Sequence, residues 1–155
     1  TPQAWQATRE RFMAQEIAPR LPAASHALVR KHQAAGDTVV LTTATNRFIT
    51  ELTAQHLGLS HLLATECDRD EAGRFTGRVA GTPNMREGKL HRLREWLGPQ
   101  GLTLEACQST AYSDSMNDLP LLEKVDTPVA TNPDDTLRAL AAQRGWKILD
   151  LWKHD

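Results

Sequence analysis

A three-layer α/β sandwich around a mostly parallel sheet is the fold class this sequence predicts, and three observations predict it. Short β-branched or apolar runs recur at 38–42, 62–65, 109–113, 128–130 and 146–149. Stretches with helical spacing of apolar residues lie between most of them, and such alternation is how parallel strands are joined. The runs themselves are short and nearly continuous rather than alternating, as expected of strands covered on both faces.

The elements follow in order. Residues from Thr1 to about Ile17 read as a helix anchored by Trp5, Phe12, Met13 and Ile17. Pro19 and Pro22 break it, and Pro22 suits the first turn of a second helix running to Ala35, with Gly36 as its C′ residue. Thr38-Val39-Val40-Leu41-Thr42 is a buried strand, and Asn46 to His56 a helix stopped near Gly58. Leu62 to Thr65 is the next strand. Arg74 to Val79 alternates behind the turn Asp70-Glu71-Ala72-Gly73, which predicts a hairpin or flap. Glu87 to Leu97 is an amphipathic helix with Leu90, Leu93, Trp96 and Leu97 on one face. Ser109 to Ser113 is a strand and Met116 to Glu123 a short helix. Pro128 to Ala130, Asp134 to Arg144 and Trp146 to Leu149 complete the alternation as strand, helix and strand.

Composition limits the function. The chain has 155 residues, 40% apolar and 24% charged, with formal net charge −1. Such a balance gives no general affinity for nucleic acid or anionic membrane, and no apolar run is long enough for a transmembrane helix. No nucleic-acid or membrane partner is therefore expected. The six histidines (His26, His32, His56, His61, His91 and His154) show no metal-ligand spacing on a common face, so a zinc site is not expected. Cys67 and Cys107 lie far apart without CxxC spacing and read as reduced structural thiols of a cytoplasmic protein. The four tryptophans, Trp5, Trp96, Trp146 and Trp152, read as packing residues. The oligomeric state is not legible. The sequence opens at Thr1 without a methionine, so its natural start is expected to be missing.

In open α/β sheets ligands sit at the carboxyl ends of strands. That selects Thr42 to Asn46, Ser113 to Asp118 and the loops facing them. In Thr42-Thr43-Ala44-Thr45-Asn46, hydroxyls and backbone N–H groups stand between a strand and a helix start, which is either a phosphate cradle or simple N-capping by Thr45 or Asn46. In Tyr112-Ser113-Asp114-Ser115-Met116-Asn117-Asp118, two carboxylates four residues apart follow a strand. Asp114 could ligate Mg²⁺ and Asp118 could hold a metal-bound water; alternatively both are acidic residues at a helix start. Lys89, next to Gly88 near a helix N-terminus, is either a solvent-facing lysine or one placed against an anion.

Taken together, Val-Val-Leu-Thr-Thr-Ala-Thr-Asn (39–46), Arg-Glu-Gly-Lys (86–89) and Tyr-Ser-Asp-Ser-Met-Asn-Asp (112–118) resemble, in order and character, the second, third and fourth motifs of the haloacid dehalogenase superfamily. The likeness is to its phosphoserine-phosphatase-like branch and covers about residues 21–150. Asp68 to Gly77 resembles the branch's flap, and Val129 to Asp134 its closing strand and turn. The resemblance implies a Rossmann-like core over 21–155 and a remnant of a helical cap over 1–20. It implies that Thr43, Ala44, Lys89 and Asn117 bind phosphate, that Lys89 and Asp118 are catalytic, and that Asp114 binds Mg²⁺.

One departure is large. The family's first motif, Asp-x-Asp-x-Thr at the end of a buried strand, supplies the nucleophile and the general acid/base, and no such motif occurs here. Asp68-Arg69-Asp70 has the spacing, but Glu66 and Cys67 precede it and a charged turn follows. The nucleophile is expected upstream of Thr1. Its strand would lie between the one ending at Thr43 and the one ending near Asp114. The implied reaction is Mg²⁺-dependent hydrolysis of a small phosphorylated metabolite, such as phosphoserine or an amino-alcohol phosphate, through an aspartyl-phosphate. The alternative is a catalytically inactive fragment that binds phosphate and Mg²⁺. A nucleotide-binding or receiver-like domain would need a Gly-rich loop or an early acidic pocket, and neither is present.

Overall fold

The structure, a computed structural model, describes residues 2–152; Thr1 and His154, named above, lie outside the described residues. The fold is α/β with six α-helices and six strands among the described residues, and all strand pairings but one are parallel. The chain forms two compact units, one up to Asn84 and one from Met85 onward.

The first unit opens with α1 (Pro2–Phe12), which passes into a wider π-helical turn over Met13–Ile17 and a 3₁₀ turn over Ala18–Arg20. Pro22 stands at the N-cap of α2 (Ala23–Ala34), and Gly36 takes a left-handed φ of 82° just after it. Then come β1 (Val40–Asn46), α3 (Arg47–His56), β2 (His61–Arg69) and β3 (Phe75–Ala80). β1 and β2 are parallel, and the far half of β2 turns back antiparallel into β3, forming the expected hairpin. β2 is therefore longer than the Leu62 to Thr65 run, because its second half is the first arm of the flap. α3 packs on β2 and buries Thr50 and Ala54, and on β2 Leu63 and Ala64 are buried. Met13 is buried near α3 and accepts a long hydrogen bond from Thr53 Oγ1 at Sδ (3.7 Å). Arg9 of α1 donates to Phe48 O (2.8 Å) and Glu51 Oε2 (3.0 Å), which ties α1 to α3.

The second unit contains α4 (Glu87–Leu97), β4 (Thr110–Ser113), α5 (Leu119–Leu122), β5 (Thr127–Thr131), α6 (Asp135–Arg144) and β6 (Lys147–Leu149). Its strands are all parallel, in the order β4-β5-β6. The core is Leu122, Ala130, Leu137 and Ala141, flanked by Ala111, Met116, Trp146 and Ile148. Asp134 caps α6 by accepting from Leu137 N (2.8 Å), and Gly145 ends it at φ 67°. The stretch from Met116 to Glu123 is not one helix: a 3₁₀ turn over Met116–Asp118 precedes α5. Pro120 in the first turn of α5 lacks the N–H that a continuous helix would need there.

Among the described residues β1 is an outer strand of the first sheet and pairs with β2 alone, and β4 is an outer strand of the second and pairs with β5 alone. Two tryptophans depart from the packing expectation. Trp5 is 61% exposed and Trp152 37%. Trp5 belongs to the wall of a groove rather than to the core, while Arg9 carries the hydrogen bonds from α1 to α3. Trp146 does pack against the α6 core, with Arg144 stacked over its ring at 5.2 Å. Both cysteines are free and half-buried. Among the described residues no helix is long and apolar enough to cross a membrane.

Candidate active site

The carboxyl end of β1 departs from regular pairing. Thr42 faces Leu63, but the next registered pair is Asn46 with Thr65, so four steps along β1 match two along β2. The surplus backbone forms a bulge over 43–45, the stretch read as a phosphate cradle. Asn46 is the helix cap, accepting from Ile49 N at 3.0 Å. The capping alternative is thus met by Asn46, which leaves the Thr43 hydroxyl for another role; it accepts from Thr45 N (3.1 Å). Thr43 is half-buried and Ala44 exposed.

Asn84 holds this bulge. Its side chain is fully buried. Nδ2 lies 2.9 Å from Thr42 Oγ1, 2.9 Å from Thr43 O and 2.8 Å from Leu63 O. Its backbone N–H donates to Thr65 Oγ1 (3.1 Å). The two carbonyl acceptors fix which end of the amide points at them, since a flipped amide would set oxygen against oxygen. Oδ1 is consequently buried with no partner among the described residues, a cost on the order of 1–3 kcal/mol that the donor contacts offset.

In the second unit the four predicted residues take different states. Lys89 Nζ lies 2.7 Å from Asp118 Oδ1, with side chains only 9% and 14% exposed. Asp118 Oδ2 accepts from the Ser113 hydroxyl at 2.6 Å, and Ser113 Oγ in turn accepts from Ser115 N at 3.2 Å. Lys89 is therefore a buried cation, held by one carboxylate that a serine orients. The solvent-facing alternative does not hold. Arg86, three residues earlier, takes φ 51° as α4 begins. Non-glycine residues pay for that conformation, and such strain gathers at functional sites.

Asp114 differs from Asp118. It is exposed just past the end of β4, and its carboxylate has no hydrogen bond or ion pair among the described residues. Its backbone is fixed, since Asp134 N donates to Asp114 O at 3.0 Å. Asn117 is exposed, and its backbone N–H donates to Ser115 Oγ (3.2 Å). Among the described residues no three His, Cys, Asp or Glu side chains gather as a metal cluster. A free, exposed carboxylate on a fixed backbone fits Mg²⁺, which binds through one or two carboxylates and keeps several waters. Asp118, with both oxygens engaged, fits a role toward Lys89 better than one on the metal. A concavity of about 760 Å³ in this unit lies at the amino end of β5, lined by Asp126, Thr127, Arg144 and Trp146, and contains none of these residues.

Asp68 and Asp70 belong to the hairpin. Asp68 Oδ2 accepts from Thr76 Oγ1 (2.9 Å), and Asp70 accepts from Ala72 N, Arg74 N and Arg74 Nε. Those bonds, the Arg74 N–H foremost, hold the Asp70 carboxyl below its usual range. Sequence reasoning did not single out Ser113 or Asn84. Ser113 lay inside a quoted motif, and a buried hydroxyl five residues before a carboxylate was the available signal. Asn84 gave none, as Gly-Thr-Pro-Asn reads as a turn.

The family model for haloacid dehalogenase-like hydrolases matches residues 1–123. This chain belongs to the haloacid dehalogenase-like hydrolase family. Within the family it is 41% identical over 140 residues to a histidinol-phosphatase of Neisseria meningitidis, covering 90% of this chain and 63% of that protein. It is 42% identical over 134 residues to a phosphoserine phosphatase of Mycobacterium tuberculosis, covering 86% of this chain and 42% of the relative. The chain thus spans less than two thirds of the length of these relatives. A crystal structure of a Bordetella pertussis protein of unknown function superposes with TM-score 0.95 at 46% identity, covering 98% of this chain and 68% of that one. A structure described as a phospho-aspartyl intermediate analogue of phosphoserine phosphatase shares the fold, with TM-score 0.61 at 19% identity over 83% of this chain and 58% of that one.

Proposed function

We propose that this haloacid dehalogenase-like chain supplies the phosphate- and metal-binding part of a Mg²⁺-dependent phosphomonoesterase acting on a small phosphorylated metabolite. The buried Lys89–Asp118 pair carries this reading. A lysine so buried needs a task, and Asp118 with Ser113 fixes its ammonium without consuming all of its donors. In the proposed reaction Lys89 neutralises charge on the transferring phosphoryl group, and Thr43, Ala44 and Asn117 hold phosphate oxygens. Asp114 would hold Mg²⁺, which supplies charge neutralisation at the phosphate when bound.

The attacking carboxylate is taken to come from outside these 155 residues and to form an aspartyl-phosphate. Two observations support this. Asp68 and Asp70 are committed to the hairpin turn, and among the described residues β1 and β4 are each the outer strand of their own sheet. The phospho-aspartyl analogue solved on the same fold is consistent with it. Residues 1–20 would then be the end of a helical cap that selects the substrate. The names of the relatives point to amino-alcohol or amino-acid phosphates. The free thiols suit a reducing, cytoplasmic setting. For these 155 residues by themselves we propose phosphate and Mg²⁺ binding without turnover.

A panel of small phosphomonoesters, including histidinol phosphate and phosphoserine, tests the reading on the full-length protein with Mg²⁺ and with chelator. Metal-dependent release of phosphate from at least one is expected. Release that ignores chelation, or none from any member, would overturn it.

A further inference from the structure

We propose that Asn84 is a positioning residue for the phosphate cradle, acting through the backbone of Thr43; this rests on the reading of Thr43 as a phosphate ligand. At the β1 bulge the strand leaves register with β2, and backbone carbonyls beside such a break need donors from elsewhere. The Asn84 amide takes over that role. It bonds Thr43 O on one strand and Leu63 O on the other, and reaches Thr42 Oγ1 as well. A single side chain thus spans the gap that the bulge opens, 41 residues away in sequence from Thr43. Its own backbone is anchored to Thr65 Oγ1, at the point where regular pairing resumes.

The arrangement has a direction. The bulge sets the path of the backbone at 43–45, and with it where the Thr43 hydroxyl and the Ala44 N–H point. A fully buried amide with its oxygen unpartnered is a poor choice for packing alone, since an apolar side chain would fill the space without stranding a polar atom. It is a good choice where two carbonyls must be held at a fixed separation.

A double-mutant cycle on the full-length protein tests this, using the inhibition constant of inorganic phosphate as the readout. Asn84→Ala and Thr43→Val should each raise that constant about tenfold, the size of one lost hydrogen bond at a site. The double variant should be little worse than either single one, since both act on the same contact. Leu137→Ala, a core truncation in the other unit, is the control for stability loss and should leave phosphate inhibition within about twofold. Additive effects, or an unchanged constant for Asn84→Ala, would overturn the proposal. If Asn84→Ala does not fold, Asn84→Ser keeps one donor and carries the same cycle. A phosphate titration of the wild-type protein, followed through the Asn84 side-chain amide resonances, needs no variant. Those resonances should move with the same midpoint as the Thr43 and Ala44 amides, and their standing still would count against the role. Wild-type protein that neither releases nor binds phosphate would instead sink the phosphatase reading, and this inference with it.

Discussion

Lys89 and Asp118 form a nearly buried ion pair at 2.7 Å, with the second carboxylate oxygen held by the Ser113 hydroxyl at 2.6 Å. The two charges come from different helical segments and meet at the carboxyl end of β4. Removing one partner of such a pair leaves the other charge stranded, which costs more than the pair contributes.

Lys89→Met should therefore lower the unfolding free energy by about 3 kcal/mol in urea titration, a value near the lower end for broken buried pairs. Lys89→Met combined with Asp118→Leu should lose less than Lys89→Met alone. A loss below about 1 kcal/mol for the single variant would mean the pair is solvated, like surface pairs.

Asp114→Asn should behave in the opposite way. Its carboxylate has no protein partner among the described residues, so thermal stability should stay within about 0.5 kcal/mol of wild type, as for other surface changes. Activity of the full-length protein and its Mg²⁺ affinity should fall together. Wild-type turnover at subsaturating Mg²⁺ would remove Asp114 from the metal site.

Asp68→Asn and Asp70→Asn should leave kcat and KM of the full-length protein close to wild type, because both carboxylates serve the hairpin. A loss of a hundredfold or so in kcat, the scale of a catalytic acid or base, would reinstate them as the first motif.

The helix over 87–97 and the hairpin were legible because their signals are local: apolar spacing in the first, alternation behind the Asp70-Glu71-Ala72-Gly73 turn in the second. The two motif carboxylates were placed correctly at a strand end, yet their different states were not legible. Whether Asp118 or Asp114 meets Lys89 depends on how α4 lies against the segment after β4. The bulge after Thr42 was read as loop and helix start, because its register shift is stabilised by Asn84 from a distant loop. Trp5 was read as an apolar anchor of the first helix and as packing, whereas exposure depends on which face of α1 meets α3.

Acid should weaken the protein through Asp126. Its carboxyl is held below the usual 3.8, first by the Ser109 N–H and then by the Ser109 hydroxyl. A carboxyl with a folded value below its unfolded one adds stability above the unfolded value, and that stability is lost as pH falls through the folded one. The melting temperature difference between wild type and Asp126→Ala should thus be largest near neutrality and shrink below about pH 4. A difference that grows on acidification would contradict the assignment.

The central claim is that these residues build a phosphatase site whose nucleophile lies outside them. Phosphate release from a generic phosphomonoester with Mg²⁺, measured side by side for the full-length protein and for the 155-residue chain, tests it most directly. The account predicts metal-dependent turnover by the full-length protein and none by the 155-residue chain above its Lys89→Ala control. Turnover by the 155-residue chain alone, lost in that control, would place the nucleophile among the residues described and contradict the account.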